Sequence, residues 1–390
     1  MIAYNPFDAE VIADPYPWYD ELLRTAPVHH TERHDIWVLS RYDDVRAAAR
    51  DHAAFSSAEA VAFQRMQLPM MLTMDPPDHT RLRRLVARDF TPTAIKRWRP
   101  AVERFVGAAI DRMLEAGETD LVSELAAPLP IQVVAEVIGV PPDDYPDFKR
   151  WSDGIVEGFK LGDNPEGDEA AMTRIMEVAG ELYAYVAAGA AERRAQPRDD
   201  LFSQLLQPRD GETLSENELF FFFLLLLVAG NETTTNLLGN LAVALLDNPD
   251  QWDLLRARPD LVPAAVEEAL RFGSPIQGFF RTALRPVEIE GVAIPDRARV
   301  LLLFAAANRD PRHYERPGAF DVARNPVDHL GFGSGIHTCL GAALARLETL
   351  VVLEQLNVRI RTMDLCGQMT RTANPTLRGV TSLPVRMIAS

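Results

Sequence analysis

The chain has 390 residues, of which 47% are hydrophobic and 8% aromatic, so it can form a large packed core and is not a disordered chain. Its formal charge of −16, from 40 Lys and Arg against 56 Asp and Glu, argues against a surface that binds nucleic acid or anionic lipid throughout. Two cysteines exclude a disulfide framework and a cysteine-rich zinc module, and they fit a reducing compartment.

Taken in chain order, the sequence begins without the basic flank and long apolar stretch of a signal peptide, which predicts a cytoplasmic protein. Helical periodicity then dominates, and the predicted helices are 97–114, 131–138, 172–194, 217–246, 263–272 and 339–356. Strand-like alternation is confined to 36–40, pieces of 279–303 and 377–387, with a hairpin over 287–294 that turns at Gly291. This order predicts one domain over residues 1–390, mainly α-helical with small peripheral β-sheets, and not alternating βαβ units.

One predicted helix contains an unusual apolar run. Residues 219–229 are 11 consecutive apolar residues, whereas a bilayer span needs about 20. A polar patch, 230–236, follows at once, and the apolar pattern then resumes. The pattern predicts a helix through the middle of the protein. Threonines in the patch can bond back to helix carbonyls, but this does not explain Glu232, whose burial needs a partner or a function.

Cys339 has a setting that suits metal binding. Glycines at 331, 333, 335 and 341 allow the backbone to approach a large flat group closely. The helical pattern that follows places the sulfur near a helix N-terminus, where the dipole and free N–H groups favour the thiolate. A thiolate in such a loop suits an axial ligand to haem iron. A buried structural cysteine and the nucleophile of a thiol hydrolase are the alternatives, and Cys366 is expected to be structural.

Five stretches, in order, resemble the motifs of the cytochrome P450 family in its soluble bacterial form. They are 75–83, 229–234, 268–271, 320–329 and 332–341, and the resemblance extends over essentially the whole chain. It implies the P450 fold, with haem b between the central long helix and the helix that follows the cysteine loop. It also implies a haem-thiolate monooxygenase that uses O2 to hydroxylate an unactivated C–H bond of a hydrophobic small molecule.

The resemblance assigns roles to individual residues. Cys339 is the expected iron ligand, in a haem-binding loop that includes Phe332, Gly335 and Gly341. The side chains expected to hold the haem propionates are His79, Arg83, Arg281 and His337. Glu232 and Thr233 are the expected catalytic pair, because a hydroxyl beside a carboxylate can relay protons to bound oxygen, and Gly230 would leave room for that oxygen. A buried network of Glu268, Arg271 and Arg324 is expected to hold the cysteine loop.

The substrate pocket is expected to be apolar and roofed by residues 58–71, which include Met66. The expected substrate contacts are Phe63, Met71, Ala229, Gly230, Ile276, Gln277, Thr376 and Leu377. Methionines in this roof are also compatible with ordinary core packing.

Electrons are expected from a partner, because no Gly-x-Gly-x-x-Gly follows a predicted strand and no flavin- or NAD-binding segment is present. An acidic ferredoxin with its NAD(P)H-dependent reductase is expected to dock on a basic cluster within residues 81–104. The protein is expected to be a monomer that binds neither nucleic acid nor membrane. Two alternatives keep the haem: a peroxygenase, whose expected Arg-Pro in place of the acid–hydroxyl pair is absent, and a haem-binding sensor or carrier.

Overall fold

The structure is a computed structural model that describes residues 2–59, 61–65, 67–161 and 169–390. The α-helices in this part of the chain are α1 (Ala9–Ala13), α2 (Tyr16–Thr25), α3 (Tyr42–Arg50), α4 (Asp78–Val86), α5 (Pro92–Ile95), α6 (Arg99–Ala116), α7 (Pro128–Ile138), α8 (Tyr145–Leu161), α9 (Glu169–Ala195), α10 (Leu201–Leu205), α11 (Glu216–Asp247), α12 (Pro249–Ala257), α13 (Val262–Phe272), α14 (Phe304–Ala307) and α15 (Ala342–Arg359). The strands are β1 (Val28–Thr31), β2 (Ile36–Leu39), β3 (Phe55–Ser56), β4 (Glu118–Asp120), β5 (Phe279–Ala283), β6 (Val287–Ile289), β7 (Val292–Ile294), β8 (Arg299–Leu302), β9 (Ile360–Leu365), β10 (Thr370–Arg371), β11 (Val380–Ser382) and β12 (Pro384–Ala389). The prediction of a mainly helical protein with small sheets is confirmed.

The strands form small, separate sheets. The largest has the order β1-β2-β8-β5-β3, in which β2 and β8 are parallel and the other pairs antiparallel. A second, antiparallel sheet has the order β4-β12-β9. β6 and β7 form the predicted hairpin, whose turn residues Glu290 and Gly291 have φ angles of 51° and 76°. Positive φ at both positions is typical of a two-residue hairpin turn that matches the twist of the strands.

The long helix α11 begins at a capping box and runs through the protein core. Ser215 Oγ accepts a hydrogen bond from the Glu218 N–H, and the Ser215 N–H donates to the Glu218 carboxylate at 2.8 Å. The helix is long and apolar enough to cross a bilayer, but it packs against α7, α8, α9, α13 and α15, and most of its apolar side chains are buried. The prediction of a helix through the middle of the protein is confirmed.

The six helices predicted from periodicity correspond to α6, α7, α9, α11, α13 and α15, with ends that differ by at most three residues. The predicted strand 377–387 is partly wrong, because Leu377 forms only an isolated bridge with Ile276 and the regular strands begin at Val380. Upstream of it, the Asn374 side-chain oxygen accepts from the N–H groups of Thr376 and Leu377, both at 2.8 Å. This local capping of the backbone produces a turn where the alternation suggested a strand.

A large cavity lies between α11 and the loop before α15. The main apolar cluster, which includes side chains of α6, α7, α11, α13 and α15, packs around this region. Two smaller apolar clusters pack against the five-stranded sheet. The fold therefore places the polar patch of α11 and the cysteine loop in the same cavity.

Candidate active site

Cys339 lies in a loop whose path depends on glycines. Gly333 and Gly335 have φ angles of 69° and 78°, and a Cβ atom at Gly335 would lie 2.7 Å from the carbonyl oxygen of Ala49 on α3. Because only glycine fits there without strain, the loop can pack closely on α3. The Cys339 N–H donates to the Phe332 carbonyl at 2.9 Å, which closes the loop, and α15 begins three residues later.

The Cys339 sulfur faces the cavity. Burial raises the pKa of the Cys339 thiol, while the N–H groups of Gly341 and Ala342 and the charges of Arg83 and Arg346 act in the opposite direction. The dipoles and charges that the sequence predicted to favour the thiolate are therefore present, but in the protein alone they do not bring the pKa of this thiol below its ordinary value. A coordinated metal ion removes the thiol proton, so this sulfur can serve as a ligand.

Four basic side chains line the same cavity: His79, Arg83, Arg281 and His337. Arg83 lies one turn after His79 on α4 and donates to the Thr338 carbonyl at 2.6 Å, while Arg281, on β5, is 3% exposed. The rings of His79 and His337 have centroids 4.3 Å apart. Both ring nitrogens of His79 and Nε2 of His337 are buried without a hydrogen-bond partner among the residues that the structure describes.

These basic groups destabilise one another's charged forms. Burial and the Arg83 charge lower the pKa of His79 to about 4, and burial and the Arg281 charge lower the pKa of His337 to about 2. Burial also lowers the pKa of Arg281 to about 10, although Asp75 acts in the opposite direction. A bound carboxylate would supply the missing acceptor and compensate the charge. The residues therefore fit a haem, with its propionates on these four side chains and Cys339 as iron ligand.

Another wall of the cavity is the polar patch of α11, which contributes Ala229, Gly230, Glu232 and Thr233. The helix continues unbroken here, and Thr233 Oγ1 donates to the Ala229 carbonyl at 2.7 Å, as the sequence pattern allowed for these threonines. The Thr233 oxygen can still accept a hydrogen bond. A Cβ atom at Gly230 would meet only Val134 Cγ2, at 3.2 Å, so glycine leaves space beside the pair.

Most of the predicted substrate contacts line the cavity: Met71, Ala229, Gly230, Ile276, Thr376 and Leu377. Phe63 does not, because its ring packs against Phe7, with centroids 4.8 Å apart, and against Phe280. Gln277 does not either, because its buried side chain accepts from the Tyr19 hydroxyl at 3.0 Å and donates to a backbone carbonyl. These two assignments are therefore corrected. Met66 lies outside the described residues.

The predicted network around Glu268 is brought together. Glu268 and Arg271 are fully buried and form two hydrogen bonds of 2.7 and 2.8 Å, and Arg324 Nε lies 3.2 Å from the same carboxylate. Arg271 also donates to the Asn308 carbonyl at 2.8 Å, and the Asn308 side chain accepts from the Leu330 N–H at 2.7 Å. Because Leu330 begins the cysteine loop, the network connects α13 to that loop.

Two acidic residues of this region are absent from the sequence prediction. Glu267 accepts from Arg346 at 2.6 and 2.8 Å and lies 3.2 Å from His329. Burial alone would raise the pKa of Glu267, but the hydrogen bonds from Arg346 and His329 lower it to about 2. Glu348 lines the cavity, is 1% exposed and has no hydrogen-bond partner for Oε2 in the described part of the chain. Burial raises the pKa of Glu348 to about 8.

A sequence signal for Glu348 was present. The residues one turn before and after it, Leu344 and Val352, are apolar, which places the carboxyl on the buried face of α15. Glu267 had a weaker signal, since it adjoins the predicted network at Glu268 and both belong to one apolar helix.

The basic cluster within residues 81–104 is largely paired with acidic residues. The ion pairs are Arg81 with Glu218, Arg84 with Asp210 and Glu212, Arg97 with Asp199, Arg99 with Glu103 and Glu354, and Arg104 with Glu136. These pairs offset much of the positive charge that the sequence placed there, while Arg88 and Lys96 are exposed and have no ion pair in the described part of the chain. The cluster is therefore a weaker surface for an acidic partner than its composition indicates.

Comparisons with known proteins agree with this site. The family model described as Cytochrome P450 matches residues 164–359. The chain is 40% identical over 387 residues to beta-dihydromenaquinone-9 omega-hydroxylase of Mycobacterium tuberculosis, covering 98% of this chain and 78% of that protein.

Two solved structures are also similar. CYP109Q5 from Chondromyces apiculatus has a TM-score of 0.90 and 37% identity and covers 100% of both chains. CYP109E1 from Bacillus megaterium in complex with corticosterone has a TM-score of 0.88 and 34% identity, over 97% of this chain and 99% of that chain. Because similarity of this extent accompanies a cysteine and four basic side chains in one cavity, the chain belongs to the cytochrome P450 family and is a monooxygenase of the bacterial type.

Proposed function

We propose that this protein hydroxylates an unactivated C–H bond of a hydrophobic small molecule, with O2 and with electrons from a ferredoxin and its NAD(P)H-dependent reductase. The observation that carries the proposal is that one cavity holds a cysteine, four basic side chains and the Glu232–Thr233 pair. The proposal also includes that the protein is a cytoplasmic monomer with one domain over residues 1–390. It includes haem b as the cofactor, without flavin or NAD.

Haem bound through a cysteine thiolate activates dioxygen and favours cleavage of the O–O bond. In this chain Cys339 would hold the iron, and the four basic side chains would hold the propionates. Arg83 contributes twice, because its guanidinium also donates to the Thr338 carbonyl next to the ligand. The contact connects α4 to the cysteine loop, so the propionate and iron sites support each other's position.

The acid–hydroxyl pair of α11 would deliver protons. Thr233 donates to the Ala229 carbonyl, which leaves its oxygen able to accept a hydrogen bond from the cavity. It would pass a proton on only when its O–H rotates away from that carbonyl. Glu232, the next residue, lines the same cavity and would supply the proton from water. Loss of the Thr233 hydroxyl would therefore interrupt proton delivery without removing any side chain that holds the haem.

The substrate is proposed to be large and mainly apolar. Met71, Ile276 and Leu377 line the cavity, and the hydroxyl of the polar Thr376 is hydrogen-bonded to Asn374 at 3.1 Å. Two of the similar proteins support an apolar substrate. The Mycobacterium tuberculosis protein is a hydroxylase of a dihydromenaquinone, and CYP109E1 was solved in complex with the steroid corticosterone. These two classes are the first to test.

The ferredoxin is proposed to dock at a groove beside the cysteine loop. The groove is lined by Arg46 of α3, Ser334 and Thr338 of the loop, Arg346, and Asp328, whose carboxylate lies 2.7 Å from His313 Nε2. Arg46 is exposed and has no ion pair in the described part of the chain, and the adjacent Val327 is 70% exposed. A cation and an apolar side chain next to the iron ligand complement an acidic partner better than the paired arginines of 81–104.

The test begins with the absorption spectrum. The ferrous, CO-bound protein is expected to show the red-shifted Soret band of a thiolate ligand, and Cys339→Ala is expected to lose it. The matched control is Cys366→Ala, since Cys366 lies on the exposed surface and should leave the band unchanged. Survival of the band in Cys339→Ala, or a colourless wild-type protein, would contradict the proposal.

Turnover is tested with a surrogate ferredoxin and reductase. Quinones, steroids, terpenoids and fatty acids are screened by the Soret shift that binding produces, and hits are incubated with NAD(P)H under ¹⁸O2. A hydroxylated product that carries one ¹⁸O atom supports the proposal. Product formed only with hydrogen peroxide would indicate a peroxygenase, and tight binding without any product would indicate a sensor or carrier.

A further inference from the structure

One wall of the cavity is formed by a segment that has no helix or strand of its own. Residues 57–59 and 61–65, here called the wall segment, follow β3, and Val61 and Ala62 line the cavity. The segment meets β5 where the Phe280 N–H donates to the Val61 carbonyl at 2.8 Å. Because irregular backbone takes its position from the contacts it makes, the side chains that bind this segment decide the shape of the wall.

Glu59 is the main attachment of the wall segment. Its carboxylate accepts from the Thr282 hydroxyl of β5 at 3.0 Å, lies 3.1 Å from Arg65 Nη1 and also accepts from Arg297 Nη2. The Glu59 side chain is only 16% exposed. Hydrogen bonds between ionised groups that are partly removed from water are stronger than pairs on an open surface, so this cluster can fix the segment.

Arg299 attaches the same segment from the sheet. It is 5% exposed, its side chain stacks over the Phe280 ring at 5.1 Å, and its guanidinium donates to the Ala62 carbonyl. Nε also lies 3.4 Å from the Phe63 carbonyl. Since Ala62 lines the cavity, this arginine holds a cavity residue by its backbone.

Arg297, which also binds Glu59, lies in a turn that the Ala298 N–H closes by donating to the Pro295 carbonyl at 3.3 Å. Its φ angle is 63°, a region in which a non-glycine residue is strained by about 1 kcal/mol. Its carbonyl accepts from Arg65 Nη2 at 2.8 Å while its guanidinium reaches Glu59. Because backbone hydrogen bonds of Arg297 and Ala298 fix this turn, a glycine at 297 would keep the turn, relieve the strain and lose the ion pair with Glu59.

We propose that Glu59, through Arg297 and with Arg299, is a positioning residue that holds Val61 and Ala62 against the cavity and limits the rate at which apolar molecules enter and leave. The inference rests on the proposed function, because it takes this cavity to be the substrate site. It assigns the control of access to a charge cluster outside the cavity lining and not to the residues that touch the substrate.

The experiment uses the haem-loaded protein and 4-phenylimidazole, an apolar ligand whose binding to haem iron shifts the Soret band. Stopped-flow association and dissociation rates are measured for wild type, Glu59→Gln and Arg297→Gly. Both rates are expected to rise about tenfold in the variants, with a smaller change in their ratio. The reason is that the loss of one charge-assisted hydrogen bond shifts the equilibrium between the attached and the released wall segment by about that factor. The matched control is Glu290→Gln, since Glu290 also has a positive φ angle and pairs with Arg41 at 2.7 Å; its rates should equal those of wild type.

Hydrogen–deuterium exchange supplies a readout that does not depend on ligand or turnover. The Phe280 N–H, which donates to the wall segment, is expected to exchange about tenfold faster in Glu59→Gln, with an unchanged melting temperature. Ligand rates and exchange within twofold of wild type in both variants would overturn the inference, and so would an equal effect of Glu290→Gln. If Glu59→Gln does not retain haem, the Arg297→Gly measurements decide. Failure of the proposed function is recognised separately, by the absence of a thiolate Soret band or of an ¹⁸O-labelled product.

Discussion

Replacement of Glu348 by glutamine should change how the stability of the protein depends on pH. The carboxyl titrates at its ordinary pKa of 4.5 in the unfolded chain and at about 8 in the folded protein, because burial disfavours the charged form. Between these two values the folded state binds a proton at Glu348 that the unfolded state lacks, so the contribution of this carboxyl to the free energy of unfolding falls as the pH rises. At 1.36 kcal/mol per pKa unit the full shift corresponds to at most about 5 kcal/mol between pH 4.5 and 8.

The assay is urea unfolding of the haem-loaded protein, followed by circular dichroism at several pH values between about 5 and 8. The unfolding free energy of Glu348→Gln, taken relative to that of wild type, is expected to rise with pH over this range, because the variant lacks the contribution of this carboxyl to the slope. This holds even if the amide lowers stability equally at every pH. Glu354→Gln is the control on the same helix, because Glu354 is partly exposed and paired with Arg99, and its slope should match that of wild type. Parallel curves for wild type and Glu348→Gln would refute the argument from burial.

Three further perturbations test other parts of the molecule. Thr233→Ala should leave haem and substrate binding intact while diverting electrons to peroxide, so the yield of product per NAD(P)H falls about tenfold or more; an unchanged yield would remove Thr233 from proton delivery. Arg46→Glu should slow reduction by ferredoxin about tenfold at low salt and less at high salt. Arg97→Glu, which alters a paired arginine, should slow it less. A larger effect of Arg97→Glu than of Arg46→Glu would favour docking on the 81–104 surface. Glu268→Gln should lower the free energy of unfolding by about 3–5 kcal/mol in urea titrations, because it leaves the fully buried Arg271 without its counter-charge; a loss below about 1 kcal/mol would contradict a buried ionic network.

The structural features that were predicted correctly from the sequence are those that depend on the residues of one continuous segment. The apolar run of α11 and the glycines around Cys339 each lie within about 30 residues, so periodicity and residue type were sufficient. The same holds for the hairpin at Gly291, where the turn itself needs a positive φ angle. Such signals do not depend on how distant segments pack.

The features that sequence missed depend on contacts between distant segments. Phe63 was assigned to the substrate, but its ring packs on Phe7, and this choice is made by the N-terminal segment and not by the neighbouring residues. Arg97 and Arg99 formed a basic cluster by composition, yet Asp199 and Glu354 neutralise them from far along the chain. Neither the direction of one side chain nor the partner of one charge follows from local periodicity.

The distribution of charge in this protein links cofactor binding to the stability of the fold. The chain carries a net charge of −16, yet its cavity gathers His79, Arg83, Arg281 and His337, with buried imidazole nitrogens that have no partner among the described residues. Unpaired buried polar groups cost free energy, and a ligand that binds only the folded state returns it. The dianionic edge of haem would be such a ligand, and α4, β5 and the cysteine loop would each supply part of its site. Bound haem would therefore stabilise the contacts between these three elements as well as provide the chemistry of the site.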